Sequence, residues 1–327
     1  MKILITDYVW PNVDIERKII EDYGHELIVA PNSETSTLKN LIKDVDAILF
    51  CFADINREIL ESAEKCKVAC RYGIGLDNID IKKATELGII VTNIPDYCLD
   101  EVSDHVLAML LNLNRSIMPH DKKVKEGLWH EVNKVERVRR LNKSILGIIG
   151  YGRIGKKVAK KANIFGIENI AFDPLLKHDD EENSVKSVSL DYLIKNSDFI
   201  TLHIPLIEKT KHLISFDQVQ IMKDNVIIIN AARGGLIDDE ALIKGLSTGK
   251  ILGVGLDVME DAQPKASNEL FKFDNVIVTP HTAYFSQESN EELQERVVGE
   301  ALKVLQGNAP ENLINRDVIG KNRSNIN

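Results

Sequence analysis

The segment SILGIIGYGRIGKKVAKKANIFG, residues 144–166, decides the fold of this chain. An apolar strand, SILGIIG, leads into the pattern GxGxxG at Gly150, Gly152 and Gly155, and a helical pattern follows. GxGxxG alone is also typical of a flexible glycine turn, but the order strand, glycines, helix is the context of a dinucleotide-binding βαβ unit. There Gly150 allows the tight turn, Gly152 the close approach of a pyrophosphate, and Gly155 the packing of helix on strand, with the phosphates at the helix N-terminus.

The acidic residue after the next strand bears on the choice of nucleotide. The strand NIAFD (169–173) ends at Asp173, 18 residues beyond Gly155. A carboxylate at this distance accepts hydrogen bonds from a ribose hydroxyl and repels a 2′-phosphate, so the sequence predicts NAD rather than NADP. Taken alone, Asp173 followed by Pro174 is equally typical of a turn.

Strand-like and helical segments alternate along most of the chain, the pattern of βαβ units and parallel sheets. The 327 residues exceed the roughly 250–300 at which single cores stop growing, so two α/β domains are predicted. Long helical patterns begin near Asp100, a candidate N-cap, and at residue 291. The predicted strands are KILITD (2–7), ELIVA (26–30), AILFC (47–51), VACRYG (68–73), SILGIIG (144–150), NIAFD (169–173), DFITLHIP (198–205), NVIIINAARGG (225–235), ILGVGLDV (251–258) and NVIVTPHTA (275–283).

Composition and charge argue against several classes of protein. The net charge of −9 repels phosphate backbones and disfavours nucleic-acid binding, and the short basic clusters 122–125 and 137–140 are interpreted as solvated faces. The opening MKILITDYVW is typical of a strand rather than a signal peptide, and no apolar stretch reaches the roughly 20 residues of a membrane helix. The four cysteines lack CxxC spacing and the eight histidines form no ligand cluster, so we expect a cytoplasmic protein without a metal site.

Polar residues follow three consecutive predicted strands in the last third of the chain. Arg233, Asp257 and His281 lie at or just beyond the apolar cores, at equal intervals of 24 residues. In an open parallel sheet, ligands bind outside the carboxyl ends of the strands. We therefore expect the three side chains to converge near a nicotinamide.

The residue types at these positions suit hydride transfer beside a carbonyl or alcohol. His281 could move the hydroxyl proton, because an unperturbed imidazole has a pKa of about 6.5. Arg233 could hold and polarise a 2-oxo acid through two parallel hydrogen bonds. Taken singly, a histidine after proline is typical of a structural loop, and an arginine before Gly-Gly of a helix cap or surface ion pair. Their position relative to the glycine motif favours catalysis.

Six ordered blocks resemble the D-isomer-specific 2-hydroxyacid dehydrogenase family, and the likeness covers almost the whole chain. The PDYC and EVSDH pieces, with Tyr284, most resemble the branch that contains the C-terminal-binding-protein corepressors and bacterial proteins labelled phosphoglycerate dehydrogenases. The blocks are RYGIGLDNID (71–80), NIPDYCLDEVSDHVLAMLLNLNR (93–115), GYGRIG (150–155), NAARGGLIDDEAL (230–242), GVGLDV (253–258) and TPHTAYFSQES (279–289).

The resemblance implies an α/β protein of two Rossmann-like domains with parallel sheets. A flavodoxin-like substrate domain would comprise residues 1–98 and 291–327, with an NAD-binding domain, residues 99–290, inserted between them. The family is usually dimeric, so a homodimer is expected, and the long apolar helix after Asp100 suits a subunit interface.

The resemblance also implies roles for individual residues. His281 would be the acid/base and Arg233 the substrate anchor. The backbone of Ile74 and Gly75 would receive the substrate carboxylate, and Arg71 would add a second cation. The cofactor positions implied beside the three glycines and Asp173 are Arg153, Ile154, Ile204, Pro205, Thr210, Ala231, Ala232 and Asp257.

One position departs from the family pattern. The family places a glutamate five residues after the aspartate, where it pairs with the catalytic histidine, and here that position is Ala262. If Pro264 is aligned with the family's Glu-Pro instead, the position becomes Gln263, which is also uncharged. Glu260 and Asp261 are interpreted as solvated, although a rearranged Glu260 could supply the missing charge.

Two functions remain open at this point. The first is an NAD-dependent dehydrogenase or reductase of a small 2-oxo/2-hydroxy acid, which Arg233, His281 and the glycine loop at 71–80 favour. In that case His281, without a carboxylate partner, should have a lower pKa than a paired histidine. The second is an NAD(H)-sensing protein with little or no turnover, which the corepressor resemblance and Ala262 favour.

Overall fold

A computed structural model describes residues 1–130, 138–181, 183–324 and 326 of the chain, which forms two compact units. Unit 1 comprises Met1–Tyr97 and Ser286–Asn327, and unit 2 comprises Cys98–Phe285. The two ends of the chain thus form one unit and the central segment the other. The predicted boundaries, after residues 98 and 290, lie one and five residues beyond these junctions.

Unit 1 contains a five-stranded parallel sheet in the order β2-β1-β3-β4-β5. This order is that of flavodoxin-like folds, as predicted. The strands are β1 (Lys2–Ile5), β2 (Glu26–Val29), β3 (Ala47–Phe50), β4 (Val68–Arg71) and β5 (Ile90–Thr92). The helices are α1 (Asp14–Asp22), α2 (Thr35–Leu41), α3 (Arg57–Glu61), α4 (Ile81–Glu86) and, at the end of the chain, α11 (Gln287–Leu305).

Unit 2 contains a seven-stranded parallel sheet in the order β12-β11-β10-β9-β6-β7-β8. Counted within the unit, this is the 3-2-1-4-5-6 order of dinucleotide-binding folds with one added edge strand. The strands are β6 (Ile145–Ile149), β7 (Glu168–Phe172), β8 (Val185–Ser187), β9 (Phe199–Leu202), β10 (Val226–Asn230), β11 (Ile251–Leu256) and β12 (Val276–Val278). The helices are α5 (Leu99–Arg115), α6 (Ile117–Lys125), α7 (Arg153–Ile164), α8 (Leu190–Asn196), α9 (Phe216–Ile221) and α10 (Asp239–Ser247).

The central strands read as continuous apolar runs because helices cover both faces of each sheet. In unit 1 every residue of β3 is fully buried, and in unit 2 the same holds for β10. The apolar side chains of β9, β10 and β11 form one cluster with α8, α9 and α10. Side chains on the other face of the unit 2 sheet pack with α5 and α7. Two rigid sheets therefore carry the polar loops at their edges.

The structure corrects two predicted helix starts. α5 begins at Leu99, so Asp100 is not its N-cap but lies in its first turn, where its carboxylate pairs with Lys157 at 2.8 Å. α11 begins at Gln287 rather than at residue 291. The Ser286 hydroxyl accepts from the Ser289 amide, and the Ser289 hydroxyl accepts from the Ser286 amide, which caps this earlier start.

One arginine of the two basic clusters is not part of a solvated face, whereas Arg140 is exposed. Arg139 is largely buried, pairs with Asp198 at 2.5 Å, and donates to the carbonyl oxygens of Asp224 and Asn225. It thus fastens the amino ends of β6, β9 and β10. Arg137 of the same cluster lies outside the described residues, and Lys122 and Lys125 of the other cluster are exposed. Within the described ranges, no helix is long and apolar enough to cross a membrane.

Candidate active site

The turn between β6 and α7 requires glycine at two positions for reasons internal to the protein. Gly150 has a φ of +95°, and a Cβ there would lie 2.5 Å from the carbonyl oxygen of His203. A Cβ at Gly155 would overlap the carbonyl oxygen of Gly150. These two glycines therefore set the shape of the turn and the close packing of α7 on the sheet.

Gly152 is different, because none of the described residues requires glycine at this position. It is exposed, its φ is −81°, and a Cβ there would meet no heavy atom within 4 Å. It is also the N-cap of α7 and carries no side chain that could satisfy the helix amides, while Arg153 beside it is exposed. The free space and the uncapped N-terminus fit a dinucleotide pyrophosphate at this turn.

The Asp173 carboxylate is anchored against the glycine turn. One oxygen accepts from the Tyr151 amide at 2.8 Å, and the other accepts from the Leu175 amide at 2.8 Å. Each carboxylate oxygen can accept a second hydrogen bond, so the half-buried side chain retains capacity for a ribose hydroxyl. Asp173 thus serves the turn and still fits the predicted contact.

The loop after β9 lies against the same turn. The side chain of Ile204 would be 2.6 Å from a Cβ at Gly150, so it lines the turn. Pro205 is exposed, and the Thr210 hydroxyl donates to the Pro205 carbonyl at 2.7 Å and accepts from the Ile207 amide at 2.8 Å. Thr210 therefore closes this loop on itself. Its predicted contact with a cofactor stays a prediction.

Arg233 lies in a tight turn after β10, and its guanidinium donates to the Ala232 carbonyl at 2.7 Å. The Asn230 side chain donates to the Arg233 carbonyl at 2.9 Å and accepts from the Ala232 amide at 3.0 Å, which folds the backbone back on itself. A Cβ at Gly234 would overlap the peptide between Met259 and Glu260. The turn after β10 is therefore packed tightly on the loop after β11, and Ala231 and Ala232 are half-buried.

Asp257, which follows β11, organises the loop that carries His281. Its side chain is 1% exposed and accepts from the Thr279 hydroxyl at 2.6 Å and from the amides of Thr282 and Ala283 at 2.8 and 2.9 Å. The His281 amide donates to the Asp257 carbonyl at 2.8 Å, and His281 has a φ of +54°. This left-handed backbone is disfavoured for residues other than glycine, so the surrounding bonds hold His281 against local strain.

A second histidine lies behind this loop. Nε2 of His105, on α5, lies 2.9 Å from the Thr279 hydroxyl and 3.7 Å from the Asp257 carboxylate. Because Thr279 donates its only proton to Asp257, its oxygen accepts from His105, which fixes the Nε2–H tautomer. This contact could not be predicted from local sequence patterns, because 174 residues separate His105 from Thr279.

Glu260 is exposed, as the sequence predicted, and it also has a side-chain partner. Its carboxylate lies 2.7 Å from Nε2 of His212, so it is engaged by a histidine other than His281. Asp261 is exposed and accepts from the Gln263 amide at 3.0 Å, which forms a local turn, and Ala262 between them is exposed. Each of these two acidic residues thus has a partner other than His281.

In unit 1 the predicted substrate residues lie on the turn that follows β4. Arg71 is nearly buried, and its guanidinium donates to the carbonyl of Tyr72. The Asn93 side chain donates to the Ile74 carbonyl at 2.7 Å, and Ile74 and Gly75 are half-buried. The turn is thus shaped by contacts inside unit 1.

Two acidic residues of unit 1 were missed by the sequence analysis. The Asp7 carboxylate accepts from the amides of Cys51, Phe52 and Ala53 at 3.0, 2.6 and 3.0 Å and so fixes the loop after β3. Glu16 is fully buried, and its carboxylate accepts from the Tyr72 hydroxyl. Its helical position on the inner face of α1 was the only signal available. The described residues contain no group of three or more side chains suited to hold a metal ion.

Comparison with known proteins identifies the family. Residues 107–283 match the model of the NAD-binding domain of the D-isomer-specific 2-hydroxyacid dehydrogenases. The chain belongs to this family. It is accordingly an oxidoreductase with an NAD-binding domain, as the motifs predicted.

Several 2-hydroxyacid dehydrogenases and related reductases are similar over most of the chain. A glyoxylate reductase of Thermococcus litoralis is 37% identical over 94% of this chain and 98% of its own length. A D-3-phosphoglycerate dehydrogenase of Methanocaldococcus jannaschii is 40% identical, but this chain spans only 59% of its length. The structure of a D-lactate dehydrogenase of Aquifex aeolicus, complexed with NAD and lactic acid, has a TM-score of 0.85 at 30% identity and 98% coverage of both chains.

Proposed function

We propose that this protein is an NAD-dependent reductase of a small, unphosphorylated 2-oxo acid, working reversibly on the D-2-hydroxy acid. The bound dinucleotide would supply or accept the hydride at C2 of the substrate. His281 gives a proton to the carbonyl oxygen in reduction and takes it back in oxidation. Arg233 holds the substrate by two parallel hydrogen bonds and polarises its carbonyl.

The observation that carries this proposal is the construction of the His281 loop. Both carboxylate oxygens of the buried Asp257 accept hydrogen bonds from this loop. Within the loop, His281 has a left-handed backbone conformation. Strained residues held by such a framework cluster at active sites. A protein that only sensed the dinucleotide would need the glycine turn, but not this device.

The substrate-binding residues proposed in unit 1 lie on the segment from the end of β4 to the turn that follows it. Arg71 and the backbone amides of Ile74 and Gly75 are proposed to receive the substrate carboxylate. Other charges in the loops after the unit 1 strands are mainly acidic, and of these Asp96 is paired with Arg296 at 2.7 Å. They include Asp7, Asp54, Asp77 and Asp80. A phosphate group would be repelled there. Among the oxo acids that the relatives' names indicate, we therefore favour glyoxylate and hydroxypyruvate over a phosphorylated acid.

NAD is the proposed cofactor rather than NADP, because of Asp173. Its carboxylate is held at the glycine turn by two amides and keeps capacity for a ribose hydroxyl. A 2′-phosphate at that place would meet like charge.

The second candidate is an NAD(H)-sensing protein with little turnover. It is favoured by Ala262, an uncharged residue at the position of the family's glutamate, and by the pairing of Glu260 with His212. This candidate predicts dinucleotide binding without reduction of any 2-oxo acid.

A cytoplasmic homodimer is the proposed state of the protein. Exposed apolar side chains concentrate after α5, where α6 buries none of its residues. Such a concentration is typical of a protein interface. These residues are Ile117, Met118, Val124, Leu128, Trp129 and Val138. All four cysteines are buried and free, which suits a reducing compartment.

The proposal is tested by following NADH oxidation at 340 nm with glyoxylate, hydroxypyruvate, 2-oxoglutarate and 3-phosphohydroxypyruvate at pH 6 and pH 8. We expect turnover of the first two, and a loss of about 10²–10⁴-fold in His281→Ala with NADH binding retained. NADH binding without turnover of any acid would overturn the proposal in favour of the sensor.

A further inference from the structure

Unit 1 contains a buried carboxyl group that the proposed reaction does not use. Glu16 lies on α1, is 0% exposed, and its Oε1 accepts from the Tyr72 hydroxyl at 3.2 Å. Tyr72 is itself buried, and the Trp10 ring packs edge-on against it with centroids 4.8 Å apart. Trp10, Glu16 and Tyr72 therefore form one cluster, here called the Glu16 cluster.

The Glu16 carboxyl is under-satisfied for a buried acid. Its second oxygen, Oε2, has no hydrogen-bond partner among the described residues. Burial raises the pKa of Glu16 to about 7. The nearby Trp10 indole lowers the pKa of Glu16 and so offsets part of the effect of burial. Its N–H does not form a hydrogen bond of normal geometry with the carboxyl group. The group is thus a titratable acceptor in an apolar setting.

Few other charged groups face Glu16. Asp14 on the same helix raises its pKa slightly, and the thiols of Cys51 and Cys70 lie near Tyr72. Burial raises the pKa of the Cys51 thiol to about 12 and that of the Cys70 thiol well above its usual range, so both stay neutral. The adjoining α11 contributes buried Asn290, Gln294 and Glu300, and Glu300 is engaged by the amides of Glu311 and Asn312.

Tyr72 begins the turn that is proposed to receive the substrate carboxylate. Its amide donates to the Phe50 carbonyl, and its carbonyl accepts from the Arg71 guanidinium. Gly73 follows with a φ of +128°, and the far side of the turn is held by the bond from Asn93 to Ile74. The Tyr72 side chain is thus the anchor at the start of the turn, and Glu16 is its hydrogen-bond acceptor.

We propose that Glu16 is a positioning residue that holds Tyr72, and through it the turn from Arg71 to Gly75, in the shape that receives the substrate carboxylate. This inference rests on the proposed function, which assigns that turn to the substrate. The hydrogen bond that Tyr72 donates is stronger when Glu16 is ionised than when it is neutral, since charge-assisted bonds are about twice as strong. The turn is therefore held more firmly above neutral pH.

Glu16→Gln tests whether the ionised form of the Glu16 side chain acts differently from the neutral form. Glutamine keeps the acceptor oxygen and cannot ionise, so it mimics the neutral acid. The probe is oxalate, a small dicarboxylate, titrated by calorimetry into the NADH-saturated protein from pH 5.5 to 8.5. We expect the ratio of the Kd of the variant to that of the wild type to be near 1 at pH 5.5 and about fivefold at pH 8.5. Any pH dependence contributed by His281 is common to both proteins and cancels in this ratio.

Tyr72→Phe is the matched control, because it removes the donor and leaves Glu16 in place. Its oxalate Kd should rise at pH 8.5 as in Glu16→Gln, and the double variant should bind no more weakly than Tyr72→Phe alone. In turnover, both single variants should raise KM and leave kcat within about twofold. A ratio of 1 at every pH overturns the inference. A ratio below 1 at pH 8.5 also overturns it, because the charge would then act by repelling oxalate.

Tryptophan fluorescence can follow the ionisation of Glu16 in the absence of substrate. Trp129→Phe leaves Trp10 as the only tryptophan, since the chain has two. Trp10 emission should titrate with a midpoint near pH 7 in this background and should not titrate when Glu16→Gln is added. If emission titrates but the oxalate ratio stays at 1, Glu16 does not act on the turn, while wild-type turnover still supports the reductase. If the wild type neither reduces a 2-oxo acid nor binds oxalate, the proposed function and the inference fail together.

Discussion

Two of the buried carboxylates, Asp257 and Glu16, differ in how completely they are satisfied. Asp257 in unit 2 accepts from one hydroxyl and two amides, whereas Glu16 in unit 1 accepts from one hydroxyl and keeps an unpartnered oxygen. An acceptor surrounded by fixed donors shapes a loop, while one left short of donors in an apolar setting has a raised pKa and can change state near neutrality. The number of hydrogen-bond donors around a buried carboxylate, and not burial alone, decides whether it holds a loop in place or titrates near neutral pH.

Replacing each acid by its amide should therefore give opposite results. In Asp257→Asn an NH2 group replaces one carboxylate oxygen and faces N–H or O–H donors of the His281 loop. These buried donors then lose their acceptor. We expect a loss of about 2–4 kcal/mol in the free energy of unfolding in urea, and a fall in kcat/KM of about 10²-fold in the protein that remains folded. Stability and activity close to those of the wild type would show that Asp257 does not hold the His281 loop.

Glu16→Gln should instead stabilise the protein above neutral pH. With a pKa raised from 4.5 to about 7, the native state binds more protons than the unfolded state between these values, so wild-type stability falls as pH rises through this window. The variant has no such group. Its free energy of unfolding should exceed that of the wild type by up to about 3 kcal/mol at pH 8.5 and match it near pH 4.5. A difference that does not vary with pH would contradict the raised pKa.

Asp257 and Glu16 also show which features of the candidate site could be predicted from the sequence and which could not. The positions of the glycine turn, Arg233, Asp257 and His281 at strand ends were predictable because each follows a strand with a strong apolar signal. β5 and β8 were not predicted, and the sequence of β8, VKS, carries little apolar pattern. The partners of Asp257 and Glu16 come from distant parts of the chain, which local periodicity does not encode.

The hydroxyl of Thr279 links Asp257 to His105, and its removal tests that link. Thr279→Val keeps the shape, but the Asp257 carboxylate loses one of its three donors and Nε2 of His105 loses the Thr279 acceptor. We expect kcat to fall by about 10-fold and stability by about 1–2 kcal/mol, because the buried acceptor is left short of a donor. Thr279→Ser, which keeps the hydroxyl, is the control and should retain most of both. Equal losses in the two variants would assign the effect to packing.

Ala262→Glu tests the role of the missing glutamate. A carboxylate near His281 favours the imidazolium and so raises the pKa of that histidine. Reduction needs the protonated form, and its pH optimum should therefore move upward by up to about one pH unit, which corresponds to about 1.4 kcal/mol. The pH profile of kcat with glyoxylate measures this. An unchanged profile would mean that position 262 does not act on His281 in this chain.

Glu260→Gln should have the smallest effect, because its partner is His212 and the pair is only partly buried. Side chains exposed by 38% and 34% gain about 0.2–1 kcal/mol from such a pair. Burial and the negative charge of Glu260 also raise the pKa of Asp239 to about 6, so the loss of that charge offsets part of the destabilisation. Activity and the pH optimum of reduction should stay within experimental error of the wild type. A shift of the optimum toward acid, opposite to that of Ala262→Glu, would instead identify Glu260 as the carboxylate that supports His281.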